Sequence, residues 1–264
     1  MHIVITGASG TVGSVLTNLL KAMGHRVTPW RRQEISINNY GKMEHYLRAI
    51  EPDALIHLAT ASSPTGLENE SWLVNYDWTS ELAWLSHMLG FKFIFTSTVN
   101  VFSDDADGPF GIDSEPDAQT GYGNEKRQAE SRVFYQNSEA TVVRLGWQIG
   151  DAPGSNQMVD WILRQISEQG QIEASTKWLP ACSFLDDTVV ALTTLLERDG
   201  GLYMLDSNRG WNFCEIVTAL SARFNQEWEI RPVENFVFDQ RMIDKNIQLP
   251  PLSMRLKALP RLDR

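Results

Sequence analysis

Short apolar runs bounded by turn residues alternate along this chain with longer segments whose apolar positions recur every three or four residues. The runs His2 to Thr6, Arg26 to Trp30, Ala54 to Leu58, Lys92 to Thr96 and Thr141 to Leu145 predict buried strands. Between them, Val12 to Met23, Met43 to Ile50, Trp72 to Leu89 and Gly123 to Tyr135 predict helices. Strictly alternating strands and helices imply parallel strands joined by crossover helices, hence an α/β fold with a doubly wound parallel sheet of the Rossmann type.

Past about residue 150 the rhythm changes. Helices are predicted at Met158 to Gln169 and Thr188 to Leu196, and a late strand at Gly201 to Leu205. From Ile230 onward, Pro232, Pro250, Pro251 and Pro260 predict an irregular tail. The expected organisation is a Rossmann dinucleotide-binding domain over residues 1–150. A smaller C-terminal substrate-binding lobe is expected over 151–264, with parts returning to the sheet.

The first predicted strand runs into Gly7-Ala8-Ser9-Gly10-Thr11-Val12-Gly13 and then into a helix. Glycines there let backbone N–H groups approach a pyrophosphate without a Cβ in the way, and the helix N-terminus adds favourable partial charge. A dinucleotide is the expected ligand; a tight strand-to-helix connection with no ligand is the plainer alternative. After the second strand, where an NAD-selective fold offers a carboxylate to the adenosine ribose, stands Trp30-Arg31-Arg32, with Arg31 18 residues beyond Gly13. Guanidinium groups suit a 2'-phosphate, so Arg31 and Arg32 point to NADP(H), unless they are two solvated surface arginines.

Tyr122-Gly123-Asn124-Glu125-Lys126 places a phenol and an ammonium on one face of a predicted helix. A lysine charge beside a tyrosine favours the phenolate and would make the phenol a usable acid or base nearer neutral pH. Taken alone, this spacing also describes an exposed pair. Phe95-Thr96-Ser97-Thr98 would set hydroxyls at the carboxyl end of the sheet, where ligands of open α/β sheets bind; turn chemistry accounts for such hydroxyls as well.

Composition narrows the partners. The 33 acidic and 23 basic residues give a net charge of −10, which disfavours nucleic acid and anionic membrane surfaces. No apolar stretch reaches the roughly 18 residues of a membrane span, and a cytoplasmic protein is expected. Cys182 and Cys214 lie outside any CxxC pattern, so reduced structural thiols and no metal site are expected. His45 and His57 are read as structural. Among the nine tryptophans, Trp147, Trp161 and Trp178 fall where a substrate would be faced, although packing explains most tryptophans.

The glycine turn, the hydroxyl-rich strand end at Thr98 and Tyr122 to Lys126 together resemble the extended short-chain dehydrogenase/reductases over nearly the whole chain. Ser97-Thr98 with Val101-Phe102, and then Arg144-Leu145-Gly146-Trp147-Gln148-Ile149-Gly150, are most similar to the dTDP-4-dehydrorhamnose reductases and their relatives. The resemblance implies an NADPH-dependent reductase of a keto group on a nucleotide-activated deoxysugar or similar polar carbonyl. In it Tyr122 donates a proton, Thr98 hydrogen-bonds the carbonyl, and Lys126 binds the nicotinamide ribose and tunes Tyr122. It also implies cofactor contacts at Gly7, Ser9, Gly10, Thr11, Val12, Gly13, Arg31, Arg32, Ile37, Leu58, Ala59, Thr60 and Asn75. Substrate contacts would fall at Val99, Asn100 and Trp147, Asp187 would cap a later helix, and a homodimer is expected of the superfamily.

The chain departs from the family pattern in carrying Val99-Asn100 after the threonine, Ser36 before Ile37, and Leu179-Pro180-Ala181-Cys182-Ser183 near the expected substrate. Epimerase or dehydratase chemistry is the enzymatic alternative, against which Val99 and Arg31 speak. A cofactor-binding regulatory subunit is the non-catalytic one, against which the intact Thr98, Tyr122 and Lys126 speak.

Overall fold

The computed structural model describes residues 1–61, 65–151 and 157–262. Two compact units share the chain: residues 1–103, 115–144 and 189–203 form one, and residues 104–114, 145–188 and 204–264 the other.

The first unit carries strands β1 (His2–Thr6), β2 (Arg26–Pro29), β3 (Ala54–His57), β4 (Lys92–Thr98) and all but the last residue of β5 (Thr141–Leu145). The start of β6 (Gly201–Leu205) belongs to it as well. They form one six-stranded sheet in the order β6-β5-β4-β3-β1-β2. β1 pairs in parallel with β2 and β3, and β3 in parallel with β4. All four residues of β3 are buried, as are all but the first of β1 and β4, the near-continuous apolar pattern of strands covered on both faces. β2 lies at the sheet edge, where its terminal Pro29 is tolerated.

Helices α1 (Thr11–Ala22) and α2 (Tyr40–Ile50) follow β1 and β2. Asn39 caps α2 by accepting a hydrogen bond from the Lys42 N–H, so this helix starts three residues ahead of the apolar periodicity. The predicted helix at Trp72 to Leu89 is one turn at Glu70–Trp72, a π-helical stretch at Leu73–Asp77 and then α3 (Trp78–Leu89). Helix α4 (Gly121–Gln136) follows, burying Gly123, Lys126, Ala129, Glu130 and Val133 on one face. Phe93, Phe95, Trp78, Leu82 and Val133 belong to a single core cluster in this unit. Burying each such side chain contributes roughly 2 kcal/mol.

In the second unit a separate core gathers Ile149, Met158, Ile162, Phe184, Phe213 and Leu220. Helix Met158–Gln169 stands as predicted, while the next, whose first residues alone belong to this unit, begins at Leu185, not Thr188. Asp187 therefore sits inside the first helical turn and does not cap it; its carboxylate instead accepts from Arg255 Nε at 3.0 Å and Nη2 at 2.7 Å.

A helix at Phe213–Arg223 was not predicted, although Asn212 and Glu215 form a reciprocal capping box at its start. The tail is also more regular than its prolines suggest. Ile230–Val233 pairs in parallel with Ile172–Ser175, Phe238–Asp239 with Trp178–Leu179, and Met242–Ile243 with Phe110–Gly111. Each pair is only two-stranded, and an edge accommodates Pro232 where an internal strand would not.

Candidate active site

In this strand order the chain leaves β1 for β2 on one side and β3 stands on the other, so the crevice for a ligand opens at the carboxyl ends of β1 and β3. The glycine turn occupies that place. Gly7 has φ +67°, and a Cβ there would stand 2.9 Å from the Ala59 nitrogen. A Cβ on Gly13 would come within 2.1 Å of the Gly7 carbonyl oxygen. Neither position admits a side chain without moving backbone.

Gly10 is the N-cap of α1 and provides no side-chain cap, in contrast to Asn39 and Asn212 on the structural helices. No acidic residue lies in the first turn of α1 either, so its N-terminal partial charge is left for an anion. Ser9 is exposed; Thr11, Val12, Leu58, Ala59 and Thr60 are half-buried around this turn.

His57 closes β3 within a fully satisfied network. Thr79 Oγ1 donates to the Asn75 carbonyl at 3.0 Å and therefore accepts from His57 Nε2 at 3.0 Å. His57 Nδ1 then accepts from Thr6 Oγ1 at 2.8 Å, and Thr6 Oγ1 accepts from the Leu58 and Ala59 N–H groups. Burial, and after it the Lys126 charge, hold His57 well below the usual histidine range, so it is a neutral structural tie.

Thr98 ends β4, 8% exposed, and its hydroxyl accepts from the Asn100 N–H at 3.2 Å, which leaves its own proton to donate. Close by, a Cβ on Gly123 would meet the Asn100 carbonyl oxygen at 2.0 Å. The first turn of α4 can therefore pass the turn after β4 only because residue 123 is glycine. Sequence reasoning missed this positioning role, although the glycine directly follows Tyr122.

Lys126 is fully buried. Its Nζ has no hydrogen-bond partner among the described residues and lies 4.2 Å from the Phe95 ring centroid and 5.9 Å from that of Tyr122. Burial brings its pKa down to about 7, with the Glu130 and Glu125 carboxylates opposing. The expected lowering of the Tyr122 pKa is not observed. Although the residue as a whole is 39% exposed, desolvation around its hydroxyl, and secondarily the Glu125 charge, raise it above the ordinary phenol value. Desolvation of the phenol is the larger cause and the Glu125 charge the second, and the Lys126 amine, itself desolvated, does not offset them.

One turn further along α4, Glu130 receives Arg144 through two bonds, Nε to Oε1 at 3.0 Å and Nη2 to Oε2 at 2.8 Å, with both side chains buried.

The remaining candidates divide. Asn75 is buried, its Nδ2 donates to Glu125 Oε2 at 2.7 Å, and its Oδ1 has no partner among the described residues. Arg32 reaches Glu70 at 3.3 Å, whereas Arg31 pairs with Glu34 at 3.0 Å in a contact where both side chains are more than 60% exposed. Ile37, 3% exposed, belongs to the core cluster, and Val99 is 4% exposed, leaving it mainly backbone to offer. Asn100 is exposed. In the second unit, Trp147 is half-buried among Trp161, Trp178 and Phe213, with ring centroids 5.5–6.1 Å away.

Both thiols are unpaired and burial raises their pKa values. Among the described residues no group of three or more His, Cys, Asp or Glu could hold a metal ion, and no helix is long and apolar enough to cross a membrane.

A glycine cradle against a helix without a side-chain cap, with a Thr, a Tyr and a buried Lys at the neighbouring strand end and helix, stands at the carboxyl end of a Rossmann-like parallel sheet, where such sheets bind their ligands. Residues 1–180 match the family described as RmlD substrate binding domain, and the chain belongs to that family. Spore coat polysaccharide biosynthesis protein SpsK of Bacillus subtilis is 23% identical over 234 residues, 88% of this chain and 82% of that protein. The dTDP-4-dehydrorhamnose reductase of Mycolicibacterium smegmatis is 28% identical over 205 residues, 76% of this chain and 61% of that protein. Among solved structures, dTDP-4-dehydrorhamnose reductase from Bacillus anthracis in complex with NADP superposes with a TM-score of 0.81 at 21% identity, covering 98% of both chains.

Proposed function

We propose that the protein is an NADPH-dependent reductase of a keto group on a nucleotide-activated sugar, with a dTDP-4-keto-6-deoxysugar as the first substrate to test. The observation that carries this reading is the Lys126 amine, buried on the inward face of α4 without a partner among the described residues. An unpaired buried amine is costly, and ribose hydroxyls of a dinucleotide would satisfy it.

The other residues fit the same ligand. The Gly7 to Gly13 turn and the N-terminal N–H groups of α1 would hold the pyrophosphate, and Arg31 can leave its exposed pair with Glu34 for a 2'-phosphate. When bound, the reduced nicotinamide supplies the hydride. Tyr122 is protonated at neutral pH, the state a proton donor needs at the start of a reduction. Thr98 keeps a hydroxyl proton to hydrogen-bond the carbonyl oxygen as that oxygen gains charge.

NADPH oxidation by the purified protein with dTDP-4-keto-6-deoxysugars tests the reading. Tyr122→Phe should lower kcat about 10³-fold while leaving the Kd for NADPH within about twofold. A variant as fast as the natural protein would remove Tyr122 from the proton-donor role.

A further inference from the structure

Glu125, the residue just before Lys126, has no part in the mechanism above, yet it organises the polar groups beside it. Its Oε2 accepts from Ser71 Oγ and from Asn75 Nδ2, both at 2.7 Å. Asn75 Nδ2 also reaches Ser71 Oγ at 3.3 Å, and Ser71, having given its proton to Glu125, can accept there.

A carboxylate only accepts, so the arrangement has one consistent orientation of the Asn75 amide: the nitrogen faces Glu125. The opposite orientation would press two acceptors together at 2.7 Å. Asn75 Oδ1 is thereby the end of the amide turned away from Glu125, and it is buried without a partner among the described residues. Asn75 also lies within the π-helical stretch Leu73–Asp77, a departure from α-helix that recurs at functional sites.

We propose that Glu125 is a positioning residue for cofactor binding: it holds Asn75 so that Oδ1 accepts a hydrogen bond from a hydroxyl or amide hydrogen of the bound dinucleotide. The inference rests on the NADPH reading of the site and adds to it a residue that works through another.

The test is NADPH titration of four variants and the natural protein, with the melting temperature of each. Glu125→Gln keeps an oxygen that accepts from Ser71 and Asn75, and should bind NADPH within about twofold of the natural protein. Lysine can only donate, so Glu125→Lys should draw Asn75 Oδ1 to itself and weaken binding about tenfold despite an added positive charge near an anionic ligand. Asn75→Ala should lose about as much, and Glu125→Lys with Asn75→Ala no more than Asn75→Ala alone, because the two act as one unit.

Additive losses, or a lysine variant that binds as well as the glutamine variant, would overturn the positioning role while leaving the cofactor reading intact. A natural protein that binds no NADPH would overturn both, so the wild-type titration separates the two failures. Should the lysine variant melt far lower than the rest, Ser71→Ala replaces it. That variant removes one tie from the group and should weaken NADPH severalfold alone but add nothing to the loss of Asn75→Ala; additive losses, or equal NADPH affinity for Asn75→Ala and the natural protein, would overturn the proposal.

Discussion

Two cations are buried against helix α4, and the fold treats them in opposite ways. Arg144, 3% exposed, meets Glu130 through two bonds and leans over the Phe102 ring, with centroid and guanidinium 5.0 Å apart. Lys126, one helical turn before Glu130, is fully buried and has no hydrogen-bond partner among the described residues. A buried charge hydrogen-bonded to its counter-charge is part of the scaffold; a buried amine with carboxylates near it but no hydrogen-bond partner is a candidate for completion by a ligand. If the dinucleotide binds as proposed, one of these two buried cations holds the fold and the other serves the site.

The sharpest way to break this contrast is to remove the lysine. Lys126→Met should lower kcat/KM about 10³-fold, yet raise the melting temperature of the cofactor-free protein at pH 7, because a desolvated amine is replaced by an apolar chain of similar length. The pH dependence has a definite sign. The folded Lys126 pKa of about 7 lies below the unfolded value near 10.5, so between those values the unfolded state binds more protons and stability rises with pH. The stability advantage of Lys126→Met should therefore be greatest at and below pH 7 and shrink toward pH 10. A constant difference across that range would show that Lys126 is not desolvated.

Next in size is the other member of the comparison. Arg144→Met leaves Glu130 buried without its cation and should destabilise the protein by about 3 kcal/mol, read from the urea midpoint, against a gain for Lys126→Met. If both substitutions destabilised the protein alike, the distinction between scaffold cation and site cation would fail.

The smallest effect concerns two arginines outside the core. Arg32 is held by Glu70, whose carboxylate also accepts from Thr65 and is lowered in pKa chiefly by that residue's backbone N–H. Arg31 has only an exposed pair, worth at most about 1 kcal/mol. Arg31→Ala should weaken NADPH about tenfold with little effect on NADH, and Arg32→Ala should weaken it less; the reverse order by titration would assign the 2'-phosphate to Arg32.

Much of this was legible in the chain. The strands at His2, Ala54, Lys92 and Thr141 stand within a few residues of their predicted limits, because a strand covered on both faces must be apolar throughout. Gly7 and Gly13 were legible because glycines spaced between a buried strand and a helix mark a backbone that tolerates no Cβ. Gly123 was not, since its role depends on how closely α4 passes the Asn100 carbonyl, a distance no local pattern carries. The helix at Phe213 lay behind a legible Asn212 and Glu215 box, while apolar spacing points to a helix start at Thr188 that lies at Leu185. The paired strands of the tail depend on partners more than fifty residues away.

By itself, then, the sequence determined the alternation of strands and helices, the glycine turn before α1 and the Tyr122 to Lys126 spacing, all set by local periodicity and backbone sterics. Tertiary structure alone decided that, among the described residues, the Lys126 amine has no hydrogen-bonded carboxylate where Arg144 has Glu130, that the Tyr122 pKa rises where a neighbouring lysine suggested a fall, and that the Asn75 amide nitrogen faces Glu125. Those outcomes depend on desolvation and on contacts between residues distant in the chain, and both come into being only when the chain has folded.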